Sequence, residues 1–208
     1  MSEREFSSPA AKDAARSAVA EVEARTCAEL VVTLRRESGR YREADYLCGF
    51  LVSLLALLAL LFLPQEFPLW TFVPDLALSF ALAALASSRL PRIRRLLTPR
   101  GVLLDNARLA ARAAFHEGGL SRLQGRNAIL VYVALFERRV EVVADVGIRV
   151  ESLGPEWRAA VHTLETSLRP RPDLQRFLAA LRALGPVLAR VHPRADDDVN
   201  ELPDEVTA

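Results

Sequence analysis

Three carboxylates fall where a fold could put them to chemical use: Glu29 in an apolar run at 27–36, and Glu141 and Asp145 along and at the end of a later run. Asp145 stands just before Val146 and Gly147, where a ligand can approach open backbone. Such a trio could hold a divalent cation such as calcium, or divide general acid and base work. The same alternating carboxylates also suit a solvated strand face or a turn cap. A second candidate is the loop 118–127, where Gly118, Gly119, Ser121, Arg122, Gly125 and Arg126 could cradle an anion with backbone amides. It lacks the Gly-Lys-Ser/Thr ending of a phosphate-binding P-loop and equally suits a helix C-cap followed by a turn into a strand.

Other chemistry has less support. His116, His162 and His192 show neither the spacing of a zinc-protease helix nor a serine elbow. His192 beside Pro193 reads as a helix-end residue favoured by the helix dipole. Cys27 falls in the first predicted strand and Cys48 in an apolar segment, a pair that supports neither a disulfide framework nor a zinc site. The run Asp196, Asp197, Asp198, Val199, Asn200, Glu201 starts like an EF-hand loop, but Glu201 occupies the glycine position and Thr207 that of the bidentate glutamate. From 192 onward the chain reads as an acidic tail with no core to join.

The elements that must position these residues follow from period and punctuation. Ser8-Pro9 opens a helix with Ala11, Ala14, Ala15, Ala18 and Val22 on one face, and residues 27–36 follow as a strand. Thr98-Pro99 opens a second helix, with Leu103, Ala107, Ala110, Ala111, Ala114 and Phe115 inward, which ends at Gly118-Gly119. Residues 127–136 are nearly all apolar, as in a strand buried on both faces, and 140–145 returns after a tight turn at Glu137-Arg138-Arg139. Gly154-Pro155 opens another helix, Pro170-Arg171-Pro172 breaks it, and a last helix over 173–191 carries a kink signal at Gly185-Pro186.

Residues 46–63 interrupt this pattern with no charge over the length that crosses a hydrocarbon core of ~30 Å. A second apolar run, 67–88, follows a short loop holding Glu66, and carries Pro68, Pro74 and Asp75 in its first half, signals of a late start, a kink, or an acid packed against a partner. Arg35, Arg36, Arg40 and Arg42 precede the hairpin and Arg89, Arg92, Arg94, Arg95 and Arg100 follow it, which predicts a membrane hairpin with both termini cytoplasmic. Arg89, Arg92, Arg94 and Arg95 are expected to face anionic lipid. The apolar strand at 27–36 must then rejoin the later strands in one sheet, or leave backbone groups unsatisfied.

The sequence is 51% hydrophobic with a formal net charge of +1, a balance that argues against nucleic-acid binding. Helix, Gly118-Gly119-Leu120, the strand from Arg126 to Val133, then Glu137 to Asp145 and Gly147-Ile148 resemble the core of the TPM domain family. Thr26 to Val32 resembles its first strand, with Cys-Ala-Glu-Leu where a Gly-Glu-Ile-type triplet is usual. The ending from Asn200 to Val206 resembles the family's bacterial membrane branch. The resemblance implies an α/β sandwich with a small central mixed sheet flanked by helices, here interrupted by a two-helix transmembrane hairpin. The expected organisation is 1–43 and 89–191 as the two parts of that domain, 44–88 as the hairpin and 192–208 as the tail. The family label includes phosphatase, and members are linked to acid phosphatase activity, calcium binding or accessory roles beside membrane channels. Two functions follow as expectations: a non-catalytic accessory or interaction module that binds another protein at the cytoplasmic membrane face, or a metal-dependent phosphatase-like hydrolase.

Overall fold

The computed structural model describes residues 6, 8–65, 67–194, 206 and 207. The chain forms two compact units, Met1–Ser38 with Leu104–Ala208, and Gly39–Leu103. The hairpin unit therefore reaches past the apolar 44–88 segment on both sides.

In the first unit, helix α1 (Pro9–Glu23) is capped by Ser8, whose hydroxyl accepts from the Ala11 amide at 3.2 Å. Strand β1 (Glu29–Arg35) follows. It starts two residues later than the sequence suggests, because Thr26 and Cys27 bond instead to the His192 carbonyl, which accepts from the Thr26 hydroxyl and the Cys27 amide. Cys27 thus precedes the strand.

Strands β2 (Ala128–Ala134) and β3 (Arg139–Ala144) form a hairpin across the turn at 135–138. β1 lies parallel to β2 from Glu29 opposite Ala128 to Arg35 opposite Ala134, so the strand before the apolar hairpin does rejoin the sheet after it. The short β4 (Val206–Thr207) pairs in parallel with Val32 and Thr33, giving the order β3-β2-β1-β4. Val206 and Thr207 therefore have a place in the sheet, where the sequence reading expected 192–208 to be an acidic tail with no core to join. The EF-hand-like run at 196–201 lies outside the described residues, as does Glu66.

Period-two alternation divides the sheet's side chains. Ile129, Val131 and Val133 face one way with Leu30 and Val32, into a core closed by α1, by α6 (Gly154–Thr166) and by the pair α7 (Leu174–Arg182) and α8 (Leu184–Ala189). The break between α7 and α8 falls at Ala183, just ahead of the expected Gly185-Pro186 kink. Ala128, Leu130, Tyr132 and Ala134 face the other way, against Ala107, Ala111 and Phe115 of the helix that runs Arg100–Glu117.

In the second unit, α2 (Arg42–Phe62) and α3 (Leu69–Arg89) pack antiparallel, each 21 residues and apolar enough to cross a membrane by length and composition. Gly49 sets their approach: a Cβ there would lie 2.9 Å from the Phe80 ring and carbonyl. Tyr46 stacks on Phe80, and the Ser53 hydroxyl donates to the Leu76 carbonyl at 3.2 Å. α3 begins at Leu69 and runs through Pro74. A short helix, α4 (Pro91–Leu97), absent from the sequence reading, follows before α5 (Arg100–Glu117).

Candidate functional site

The sheet register separates the three candidate carboxylates. Glu29 and Asp145 flank Ala128 on the same rung and face, Glu29 by strand pairing and Asp145 by its amide donating to the Ala128 carbonyl at 2.8 Å. With β2 between them, their backbones stand roughly 10 Å apart at ordinary strand spacing. Glu141 is on that face too, opposite Tyr132 and roughly 13 Å along the strand from Asp145. The three share a face and do not share a centre.

Each of the two β3-side acids meets its own arginine. Asp145 is 5% exposed; its Oδ1 accepts from the Val146 amide at 2.8 Å and its Oδ2 lies 3.0 Å from Arg126 Nε. Glu141 Oε2 lies 3.8 Å from Arg108 Nε. Burial still outweighs Arg108 there and holds the Glu141 carboxyl above its ordinary value. Glu29 is buried at the start of β1. Among the described residues, no group of three or more His, Cys, Asp or Glu side chains gathers at metal-holding distance.

The loop candidate resolves into a built turn. α5 ends as the Gly118 amide donates to Ala114 O at 2.9 Å and Gly119 takes a left-handed φ of 70°. A single 3₁₀ turn at Leu120–Arg122 follows, with Arg122 exposed. Arg126, also left-handed at φ 50°, donates through Nη1 to the Ser121 carbonyl at 2.5 Å. Its own carbonyl accepts from the Gly147 amide at 2.9 Å. A Cβ on Gly147 would come within 2.3 Å of that carbonyl oxygen, so only glycine permits the approach. Asn127 closes the other side, its side-chain amide donating to the Cys27 carbonyl and its carbonyl accepting from the Glu29 amide.

Arg126 and Asp145, which the sequence places in two separate candidate sites, therefore meet in one ion pair. That pair clasps the start of β2 to the exit of β3. The sequence offers no signal for it, since it depends on Arg126 taking a left-handed backbone conformation uncommon for a residue with a Cβ.

His192 also departs from its sequence reading. Burial, followed by the nearby Arg149, pushes its imidazole below the ordinary value, the opposite of what a helix C-terminal dipole does.

The basic cluster after the hairpin splits in two. Arg89 and Arg92 are exposed. Arg94 instead turns inward: Nη2 lies 3.2 Å from Asp45 Oδ2, with both side chains at least 87% buried, and its guanidinium lies 5.9 Å from the centre of the Tyr41 ring. The other Asp45 oxygen accepts from the fully buried Ser87 hydroxyl at 2.9 Å, and the Thr98 hydroxyl donates to the Arg94 carbonyl at 2.7 Å. This cluster ties α2, α3 and α4 together, so Arg94 is a fastening of the hairpin and not a lipid-facing cation. Arg95 is half-buried. At 100° per residue, Ile93 and Leu96 fall on one side of α4 with Arg92 at its edge, and Leu90 stands at the N-cap, all three apolar residues being exposed.

No family model matches this sequence, and no curated protein matches it. In fold, the chain is similar to the NMR structure of the BA42 protein from the psychrophilic bacterium Bizionia argentinensis. The match covers 96% of this chain and 93% of that one, at 15% identity and a TM-score of 0.53. At that identity the likeness shows the fold alone. It supports the α/β class, a small mixed sheet with helices around it.

Proposed function

We propose that this chain is a TPM-like domain protein anchored in the bacterial inner membrane, whose α/β unit serves as a non-catalytic accessory or interaction module at the cytoplasmic face. The observation that carries the reading is the surface of the hairpin unit. Leu55, Phe62, Leu69, Trp70 and Val73 are all more than half exposed in a pair of 21-residue helices. An exposed apolar area of that extent needs lipid or a partner to cover it.

The arginines on both flanks set the orientation, and the exposed Arg89 and Arg92 beside Leu90, Ile93 and Leu96 suit an anionic headgroup layer. The buried Asp145 and the half-buried Glu141 support a module over a hydrolase, since each is engaged with an arginine in the framework.

Cysteine labelling tests the orientation. With Cys27 and Cys48 replaced by serine, an impermeant maleimide added to intact cells should label Gln65→Cys and leave Ala208→Cys unlabelled until lysis; the reverse pattern overturns the topology. Purified full-length chain, with a generic phosphomonoester and with or without divalent metal, should give no turnover that depends on Asp145. Metal-dependent turnover abolished in Asp145→Ala would replace the module by a hydrolase.

A further inference from the structure

One carboxylate is unaccounted for by the hairpin's own packing. Asp75 follows Pro74 in α3, is exposed, and makes no hydrogen bond or ion pair with another described residue. Its depth follows from the helix register. Leu76 is level with Ser53 through their hydrogen bond, so Asp75 lies roughly 12 Å along the axis from Tyr46, where the uncharged run of α2 begins. Measured along α3, it lies ~9 Å from the helix start at Leu69. Both distances put it well inside a hydrocarbon core of ~30 Å.

Asp75 does not stand on an isolated spot. At 100° per residue it shares a stripe with Leu78, Leu82 and Ala86, all exposed. A carboxylate at that depth is costly unless it is paired, and intramembrane ionisable residues almost always face a helix partner or a water-filled cavity, paired with one another or with backbone carbonyls. A second copy cannot provide the counter-charge, because residues 46–88 contain no Lys, Arg or His.

We propose that Asp75 and the Leu78–Leu82 stripe dock a membrane-spanning helix of another protein that carries a basic side chain near its middle. The ion pair gives the contact its specificity and the leucines its packing. This rests on the reading that the hairpin spans a bilayer.

The test uses full-length chain in vesicles of phosphatidylcholine and phosphatidylglycerol. The probe is a fluorescent leucine-rich spanning peptide with one central arginine, compared with the same peptide carrying leucine there. Energy transfer from labelled wild type should report binding of the arginine peptide at least ~10-fold tighter than of the leucine peptide. Asp75→Asn should remove the difference. Equal binding of the two peptides by wild type, or an unchanged preference in Asp75→Asn, overturns the proposal. Self-association between two labelled copies that Asp75→Asn abolishes, without preference for the arginine peptide, also overturns it and assigns the stripe to a second copy. An alkaline carbonate wash separates the two levels of the argument: chain stripped from the vesicles refutes the membrane reading itself, whereas chain retained with no peptide preference refutes only the Asp75 partner.

Discussion

The two units invert each other. In the α/β unit every residue of β2 is buried, all of them apolar but for the Tyr132 hydroxyl, whereas α2 buries only Ala44, Asp45 and Gly49 along its length and α3 only Ser87. One unit hides its leucines and valines and the other displays them around a small polar fastening. Water drives the first arrangement, because burying apolar area is favourable only against water. The second is stable where the surrounding medium is as apolar as leucine, so that close packing at Gly49 and hydrogen bonds at Asp45 do the joining.

The sharpest way to break that contrast is to make the same substitution in both units. Leu164→Ala, at a fully buried site, should cost about 2–5 kcal/mol in denaturant unfolding followed by Trp157 fluorescence. Leu55→Ala on the outer surface of α2 should change the stability of the detergent-solubilised chain by less than about 0.5 kcal/mol. Comparable losses at the two sites would mean that Leu55 is packed in a core.

The polar fastening gives the next largest effect. Asp45→Ala strands Arg94 in a buried place and should cost about 3 kcal/mol in thermal unfolding of the hairpin unit. Asp45→Leu combined with Arg94→Met removes both charges together and should recover most of that loss. If the double variant is as unstable as the single one, the pair contributes something that apolar packing cannot replace.

Gly147→Ala should follow at about 1–3 kcal/mol, since the new methyl meets backbone at the Arg126 carbonyl and the turn must shift. Amide exchange at Val146 and Ile148 should rise with it. Unchanged exchange would place the clasp elsewhere.

The smallest effects are in pH dependence. Burial raises the Glu141 carboxyl, so the folded state holds its proton more tightly and stability falls as pH rises from the ordinary carboxylate range through the raised value. Glu141→Gln should therefore stabilise the chain at pH 7, by less than about 1 kcal/mol, and flatten that fall. His192 works from the other side: its imidazole is pushed down, the unfolded state takes up the proton first, and stability falls as pH drops below about 6.5. His192→Gln should reduce the acid-side loss in a melting series between pH 7 and pH 5.

Much of the fold was legible because it rests on local patterns. The apolar run at β2, the caps at Ser8 and Gly119, and the proline break after α6 are each decided within a few residues, and the reunion of β1 with β2 follows from the cost of leaving an apolar strand alone. The ionic contacts were not legible. Asp45 and Ser87 are distant in sequence and meet only because the Gly49–Phe80 approach sets the helix register. Arg126 reaches Asp145 only through its left-handed turn, and Glu29, Glu141 and Asp145 share a face by alternation that gives no hint of the strand between the first and the last. α4 was missed because seven residues with three arginines are too short to show a period.

The central claim, that lipid covers the inverted unit, is tested most directly by measuring which reagents reach its surface. With the native cysteines replaced, nitroxide labels at Leu55→Cys on α2 and Arg112→Cys on α5 are compared by power saturation in vesicles, both positions being exposed. The account predicts that oxygen relaxes the label at 55 strongly and a water-soluble nickel chelate hardly reaches it, while the label at 112 shows the reverse. Ready access of the nickel chelate at 55 would contradict it.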